Sequence, residues 1–216
     1  MCDPYVYSNT DVLINRHDVR DEADLAEMEA EYTSIRLKQI TEAPLPGNYD
    51  FQHFCEFHKW VFQDIYEWAG VPRTIDIEKP EPALGGISIE YSPVDEIEPT
   101  AKKVLDTMRD TAWDKFSLDE KAVKFSKYMA ELWKIHCFRE GNTRTVVTFC
   151  CQFAESRGFS VDRTLFQKHS AYVRTSLVAA SAYFSDLGDR AQPEYLIRIV
   201  RDSIERGQRK ASQRNV

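Results

Sequence analysis

Apolar positions along the chain recur mostly three and four residues apart, the period of helices with one buried face, and only one region alternates with period two. The first periodic stretch, Asp21 to Gln39, is charged and rich in Ala, Glu and Leu. It ends near Thr41, ahead of the turn formers Pro44, Pro46 and Gly47. A second helix is predicted over His53 to Trp68, where Phe54, Phe57, Val61, Ile65 and Trp68 fall on one face and Gly70 with Pro72 closes the segment. The exception follows: Ile75 and Ile77, then Ile87, Ile89 and Tyr91, alternate with polar residues around a loop holding Pro80, Pro82, Gly85 and Gly86. That pattern predicts a β-hairpin with a loose tip.

Helical spacing then returns. Ser92-Pro93 opens a segment whose buried stripe is Ile97, Ala101, Val104 and Met108. Ser117-Leu118-Asp119-Glu120 reads as a capping box, with Ala122, Phe125, Met129 and Leu132 carrying a helix to about Ile135. After a polar interruption, Val146, Val147, Phe149, Cys150 and Phe153 form a markedly apolar helix ended by Gly158. Two more helices are predicted at about Thr164 to Tyr183 and Pro193 to Arg206. The fold class is therefore mainly α with one hairpin. No repeat or low-complexity linker divides the 216 residues, so one unit is expected: a helical extension over about 1–50, a core over about 51–160 and C-terminal helices over about 161–210.

Composition narrows the class of protein. A hydrophobic share of 43% beside 29% charged residues supports a packed core in a soluble chain. No apolar run approaches the roughly 20 residues of a membrane span, and no signal-peptide pattern opens the chain, so a cytoplasmic protein without membrane contact is expected. The net charge of −7 argues against direct nucleic-acid binding, which needs clustered cations on phosphates. The basic run from Arg206 to Val216 (Arg206, Arg209, Lys210, Arg214) reads as a solvated helix end. Cys2, Cys55, Cys137, Cys150 and Cys151 have no metal-like spacing, and reduced thiols are expected.

The chemistry concentrates in the interruption between the two central helices, His136-Cys137-Phe138-Arg139-Glu140-Gly141-Asn142-Thr143-Arg144. A helix begins where this loop ends, and a helix N-terminus offers free N–H groups and a positive dipole to an anion. The same few residues hold a base (His136), a carboxylate (Glu140), a Gly-Asn pair that admits a ligand close to backbone, and a cation (Arg144). Those are the parts needed for phosphoryl or nucleotidyl transfer, where positioning and charge neutralisation do most of the catalysis. A nucleophilic Cys137 beside His136 is the weaker reading, because catalytic thiol and base are usually assembled from distant parts of a chain. His17, His53, His58 and His169 lack such company and default to structure or surface.

This loop resembles the signature of Fic domains, His-x-Phe-x-Asp/Glu-Gly-Asn-Gly/Lys-Arg-x-x-Arg, with His136, Phe138, Glu140, Gly141, Asn142 and Arg144 in register. The resemblance extends to Asp3-Pro4-Tyr5-Val6-Tyr7, Pro46-Gly47-Asn48-Tyr49-Asp50, the run from Phe62 to Gly70, and Arg73 to Lys79. It implies a Fic-type helical bundle with a flap, and transfer of AMP from ATP to a Ser, Thr or Tyr hydroxyl of a target protein. By the same resemblance His136 is the general base, Glu140 holds Mg²⁺, and Gly141, Asn142, Thr143 and Arg144 bind the nucleotide, while Phe138 anchors the loop. The hairpin from Arg73 to Tyr91 corresponds to the family's flap, where Ile75, Ile77, Lys79, Ile87 and Ile89 would align a target segment by strand addition.

Two positions depart from the signature. Thr143 stands where Gly or Lys is usual, and Val147 replaces the last Arg, which removes one cation expected near the triphosphate. No Ser/Thr-x-x-x-Glu-Gly/Asn inhibitory motif is found, so a toxin of a toxin–antitoxin pair, restrained by a separate small antitoxin-like protein, is one expectation. The alternatives are a Fic enzyme that uses another nucleotide donor or removes AMP, and a catalytically weakened Fic protein acting as a binding module.

Overall fold

The computed structural model describes residues 3–214, and Cys2 among the expected thiols and Val216 of the basic tail lie outside them. It is mainly helical, as its sequence periodicity predicts. Eight α-helices are present among the described residues: α1 (Glu22–Glu42), α2 (Phe51–Phe62), α3 (Ile97–Asp110), α4 (Leu118–Ile135), α5 (Asn142–Ser156), α6 (Arg163–Lys168), α7 (Ser170–Ala180) and α8 (Glu194–Arg214). Helix α4 is central and packs on α3, α5, α7 and α8, while α2 lies between α1 and α5.

Local chemistry sets the boundaries. Asp21 caps α1 by accepting from the amides of Ala23 and Asp24. Ser117 and Glu120 form the reciprocal capping box that starts α4. Helix α2 stops at Phe62, six residues before the predicted end, because the amides of Ile65 and Tyr66 both turn back onto the Phe62 carbonyl. Ser92-Pro93 leads into a 3₁₀ turn, Val94–Glu96, before α3 begins. Leu105 rather than Val104 completes the fully buried stripe of that helix.

The interior is one apolar cluster running from Val12 to Ile204. Around α2 and α5 it is aromatic: Phe54, Phe57 and Phe149 meet edge to face, with ring centres 5.2 Å apart for both Phe54–Phe149 and Phe57–Phe149. Such rings contribute about 1.5–3 kcal/mol each on full burial, so α2 is held firmly against α5, the helix that begins where the polar loop ends.

Two segments differ from expectation. The predicted strand at Ile75 and Ile77 is irregular chain, and the hairpin is a short antiparallel pair, β1 (Pro80–Glu81) with β2 (Ile87–Ser88). Side chains take the backbone groups that a longer ladder would use: the Arg73 guanidinium holds the Ile75 carbonyl, Asp76 accepts from the Val94 amide, and Ser88 Oγ accepts from the Lys79 amide. At the C-terminal end the single predicted helix over Thr164 to Tyr183 is two, α6 and α7, broken at His169. A second small hairpin follows, β3 (Tyr183–Phe184) with β4 (Gly188–Asp189), and α8 continues past Arg206.

Cys55, Cys137, Cys150 and Cys151 are free thiols, the last three buried. Burial pushes the Cys137 and Cys150 thiols well up and the Cys151 thiol to about 12, which leaves these three without thiolate character near neutral pH. Among the described residues no helix is long and apolar enough to cross a membrane.

Candidate active site

The loop between α4 and α5 is fixed backbone first. Helix α4 ends on His136 in the left-handed region (φ 50°, ψ 56°), which turns the chain sharply out of the helix. That conformation is unusual for a residue with a side chain, and the fully buried Arg73 holds it. Arg73 Nε donates to the His136 carbonyl at 2.9 Å and the Arg73 amide donates to the Cys137 carbonyl, also at 2.9 Å. Its remaining nitrogens reach the carbonyls of Ile75 and Ser92, so one guanidinium ties the loop to both feet of the hairpin.

From the other side, Asn142 closes the loop on itself. Its Oδ1 accepts from the Phe138 amide at 2.9 Å and its Nδ2 donates to the Phe138 carbonyl at 2.7 Å. The Asn142 side chain is therefore spent inside the protein, and its backbone N–H is what it offers outward. His58, on α2, braces the same loop. Its Nδ1 accepts from the Gly70 amide, which puts the proton on Nε2, facing the Glu140 carbonyl at 3.0 Å. Its ring stacks on Phe138 at 3.8 Å, and burial drives its pKa down to about 3, so it is a neutral spacer.

His136 is only 2% exposed, and neither ring nitrogen has a hydrogen-bond partner among the described residues. Buried polar groups are normally paired, so an unpaired imidazole in this loop stands out. Tyr91 lies against one face at 4.0 Å and Trp133 approaches edge-on at 5.3 Å. Burial first, then the positive charge of Lys79, holds the imidazole well below its ordinary pKa despite the opposing pull of Glu140. The ring is a neutral base with free lone-pair capacity.

Glu140 stays ionised. Burial would raise its pKa, but the charge and hydrogen bond of Lys79 and the Gly141 amide outweigh that and bring it to about 2. Lys79 Nζ donates to Oε2 at 2.7 Å and the Gly141 amide to Oε1 at 2.8 Å. Gly141, at φ 81°, lies so close to Phe62 that an added Cβ would come within 2.2 Å of that ring. The amides of Asn142, Thr143 and Arg144 precede the first backbone bond of α5, from Thr145 to Gly141, and point out of its N-terminus.

Thr143 and Arg144 are held sideways. Thr143 Oγ1 accepts from Trp133 Nε1 at 2.8 Å, which locks α5 to α4. Arg144 pairs with Glu29, donates to Thr33 Oγ1 at 3.1 Å, and lies over the Phe62 ring at 4.8 Å. Val147 packs against the core and lines a cavity of about 280 Å³ with Leu37, Thr143, Arg144, Cys151 and Phe166.

Of the expected flap residues, Ile75 and Ile77 are half-buried and Ile87 is 53% exposed. Ile89 is instead buried in the core, so it anchors the hairpin and is not available to a target segment. Lys79 reaches the loop rather than solvent. Glu81 is buried and pairs with Arg174 at 2.8 Å, which fastens the hairpin to α7.

No group of three or more His, Cys, Asp or Glu side chains suited to a metal occurs among the described residues. The ionised Glu140 beside a helix N-terminus fits a Mg²⁺ held by one carboxylate plus substrate phosphates, provided Lys79 yields Oε2. Sequence reasoning missed Glu29, Thr33, Tyr91 and the supporting role of His58. The signal for His58 was its place at four-residue spacing between Phe54 and Phe62 on the apolar face of α2.

Residues 48–154 match the model of the Fic/DOC family. A "Probable protein adenylyltransferase y4lH" of Sinorhizobium fredii is 34% identical over 166 residues, covering 75% of this chain and 80% of that protein. The chain belongs to the Fic/DOC family. It is also 31% identical over 160 residues to the "Protein adenylyltransferase VbhT" of Bartonella schoenbuchensis, a match covering 74% of this chain but only 32% of VbhT. The chain thus spans about a third of that larger relative. The Fic fold is shared with the BepC protein of Bartonella tribocorum, solved with bound AMPPNP: TM-score 0.76 at 20% identity, over 92% of this chain and 95% of that one. The Fic/DOC match takes in α2, the hairpin, α4 and the loop from His136 to Arg144, whereas α1 lies before it.

Proposed function

We propose that this Fic protein is a protein adenylyltransferase that moves AMP from ATP to a hydroxyl of a Ser, Thr or Tyr in another protein. The observation that carries the reading is the neutral, buried and unpaired His136 imidazole, held in one loop with ionised Glu140 and the open N-terminus of α5. The names of the relatives from Sinorhizobium and Bartonella support it.

In this reading a target hydroxyl approaches His136, which takes its proton as the oxygen forms a bond to the α-phosphorus. The bond from that phosphorus to the bridging oxygen breaks, and pyrophosphate leaves. The amides of Asn142, Thr143 and Arg144 receive phosphate oxygens, and the Arg144 guanidinium answers the charge that grows on the leaving group. Glu140 would hold a Mg²⁺ ion, which when bound neutralises phosphate charge. Ile75, Ile77 and Ile87 would line up the target segment along the exposed edge of the hairpin, where main-chain bonds align without demanding one sequence, while Lys79 faces the loop. The protein would act in the cytoplasm, and a separate antitoxin-like protein would restrain it.

Incubation of the protein with a bacterial lysate and ATP labelled at the α-phosphate tests the reaction. Label retained on protein, competed by unlabelled ATP more strongly than by UTP or GTP, is expected. Preferential competition by another nucleotide would move the chain to a different donor, and no transfer from any nucleotide would overturn the reading.

A further inference from the structure

In the proposed reading Arg144 meets the triphosphate, where Val147 leaves no second signature arginine to share the charge, and its guanidinium is held by α1, more than a hundred residues away. The guanidinium is gripped on several sides. Glu29 takes one terminal nitrogen, Thr33 Oγ1 accepts from the other at 3.1 Å, and the flat face rests on Phe62. These partners are themselves fixed. The Thr33 hydroxyl donates to the Glu29 carbonyl at 2.7 Å, so its lone pairs, not its proton, face Arg144. The second oxygen of Glu29 accepts from the Tyr66 hydroxyl, which burial and the Glu29 charge keep protonated. Glu29 is 13% exposed at its side chain, whereas Arg144 keeps 30%.

We propose that Glu29 is a positioning residue that pre-orders Arg144 for the nucleotide, which makes α1 part of the active site. The proposal rests on the reading that Arg144 meets the phosphates. A free arginine loses up to about 2 kcal/mol of rotamer entropy when it is fixed on a ligand. Here the cost is met on folding, before ligand arrives. Only two of the five guanidinium N–H groups are engaged, so three remain for an anion. The grip also matters more here than beside a second arginine, because Val147 offers no cation to compensate for a misdirected Arg144.

The test uses the full chain. Binding of a non-hydrolysable ATP analogue is measured by calorimetry for wild type, E29A, E29Q, T33V and R144A, with thermal unfolding of each alongside. About tenfold weaker binding is expected for E29A, the scale of a lost hydrogen-bonded charge partner. E29Q, which keeps the shape and an acceptor, recovers part of that loss, and T33V shows a smaller one. E29A added to R144A has no further effect on binding, as expected of residues that act through one another. Lowered melting temperature with unchanged analogue affinity would make Glu29 merely structural and overturn the proposal. Tighter binding by E29A or E29Q would also overturn it, since Glu29 would then be a competitor of the phosphate. Wild-type protein that binds no nucleotide would sink the adenylyltransferase reading together with this one, whereas binding by wild type and E29A alike sinks this one alone.

Discussion

Lys79 donates to Glu140 Oε2 at 2.7 Å, so the ammonium of the hairpin lies on the carboxylate assigned to the metal. Lys79 and the metal expected at Glu140 therefore compete for one oxygen. Replacing the lysine with an uncharged chain of similar length, K79M, removes a cation from the site. It is expected to raise the affinity for Mn²⁺, measured by its paramagnetic resonance in the presence of an ATP analogue, by about threefold to tenfold, the worth of one partly exposed charge contact. Unchanged affinity would mean that metal and lysine do not share Oε2.

Gly141 has no room for a side chain. A methyl group there meets the Phe62 ring at 2.2 Å and must also adopt φ 81°, which L-residues disfavour. G141A is expected to lose about 2–4 kcal/mol of stability from overpacking and backbone strain together, read as a lower urea midpoint. Because Phe62 also supports Arg144, analogue binding is expected to weaken in whatever protein remains folded.

The pH dependence of stability follows from three buried imidazoles. His53, His58 and His136 have ordinary values near 6.5 when unfolded, and burial lowers all three in the folded protein, His58 to about 3. Above pH 6.5 both states are unprotonated and stability is flat. Below it the unfolded chain binds protons that the folded chain refuses, so stability falls as pH drops, by up to about 1.4 kcal/mol per pH unit for each histidine. Unfolding measured by urea between pH 8 and pH 4 is expected to show this decline, with a shallower slope in H58Q. The transfer reaction should likewise keep its activity below pH 6.5, since His136 remains an unprotonated base there.

What the sequence disclosed and what it hid have physical reasons. The capping box of Ser117 and Glu120 and the loop from His136 to Arg144 are local, so residues a few positions apart were enough to recognise them. The alternation locates the hairpin but overstates its strands, because the pattern at Ile75 and Ile77 does not reveal that Arg73, Asp76 and Ser88 side chains claim the backbone groups. The break at His169 and the second hairpin were invisible to a pattern that reads helical on both sides. Glu29 was hidden for a different reason: it meets Arg144 across 115 positions, and in α1 it is one acid among many. Only packing of α1 on α2 distinguishes it from its exposed neighbours.

The central claim is that His136 is the base for transfer of AMP. The most direct measurement compares wild type with H136A, each incubated with target-containing lysate, Mg²⁺ and ATP labelled at either the α- or the γ-phosphate. Wild type is expected to retain the α label on protein and never the γ label. H136A, which binds the analogue as wild type does, should lose the α label by about a hundredfold or more, the contribution of a positioned general base. Retention of the γ label, or undiminished α transfer by H136A, would contradict it.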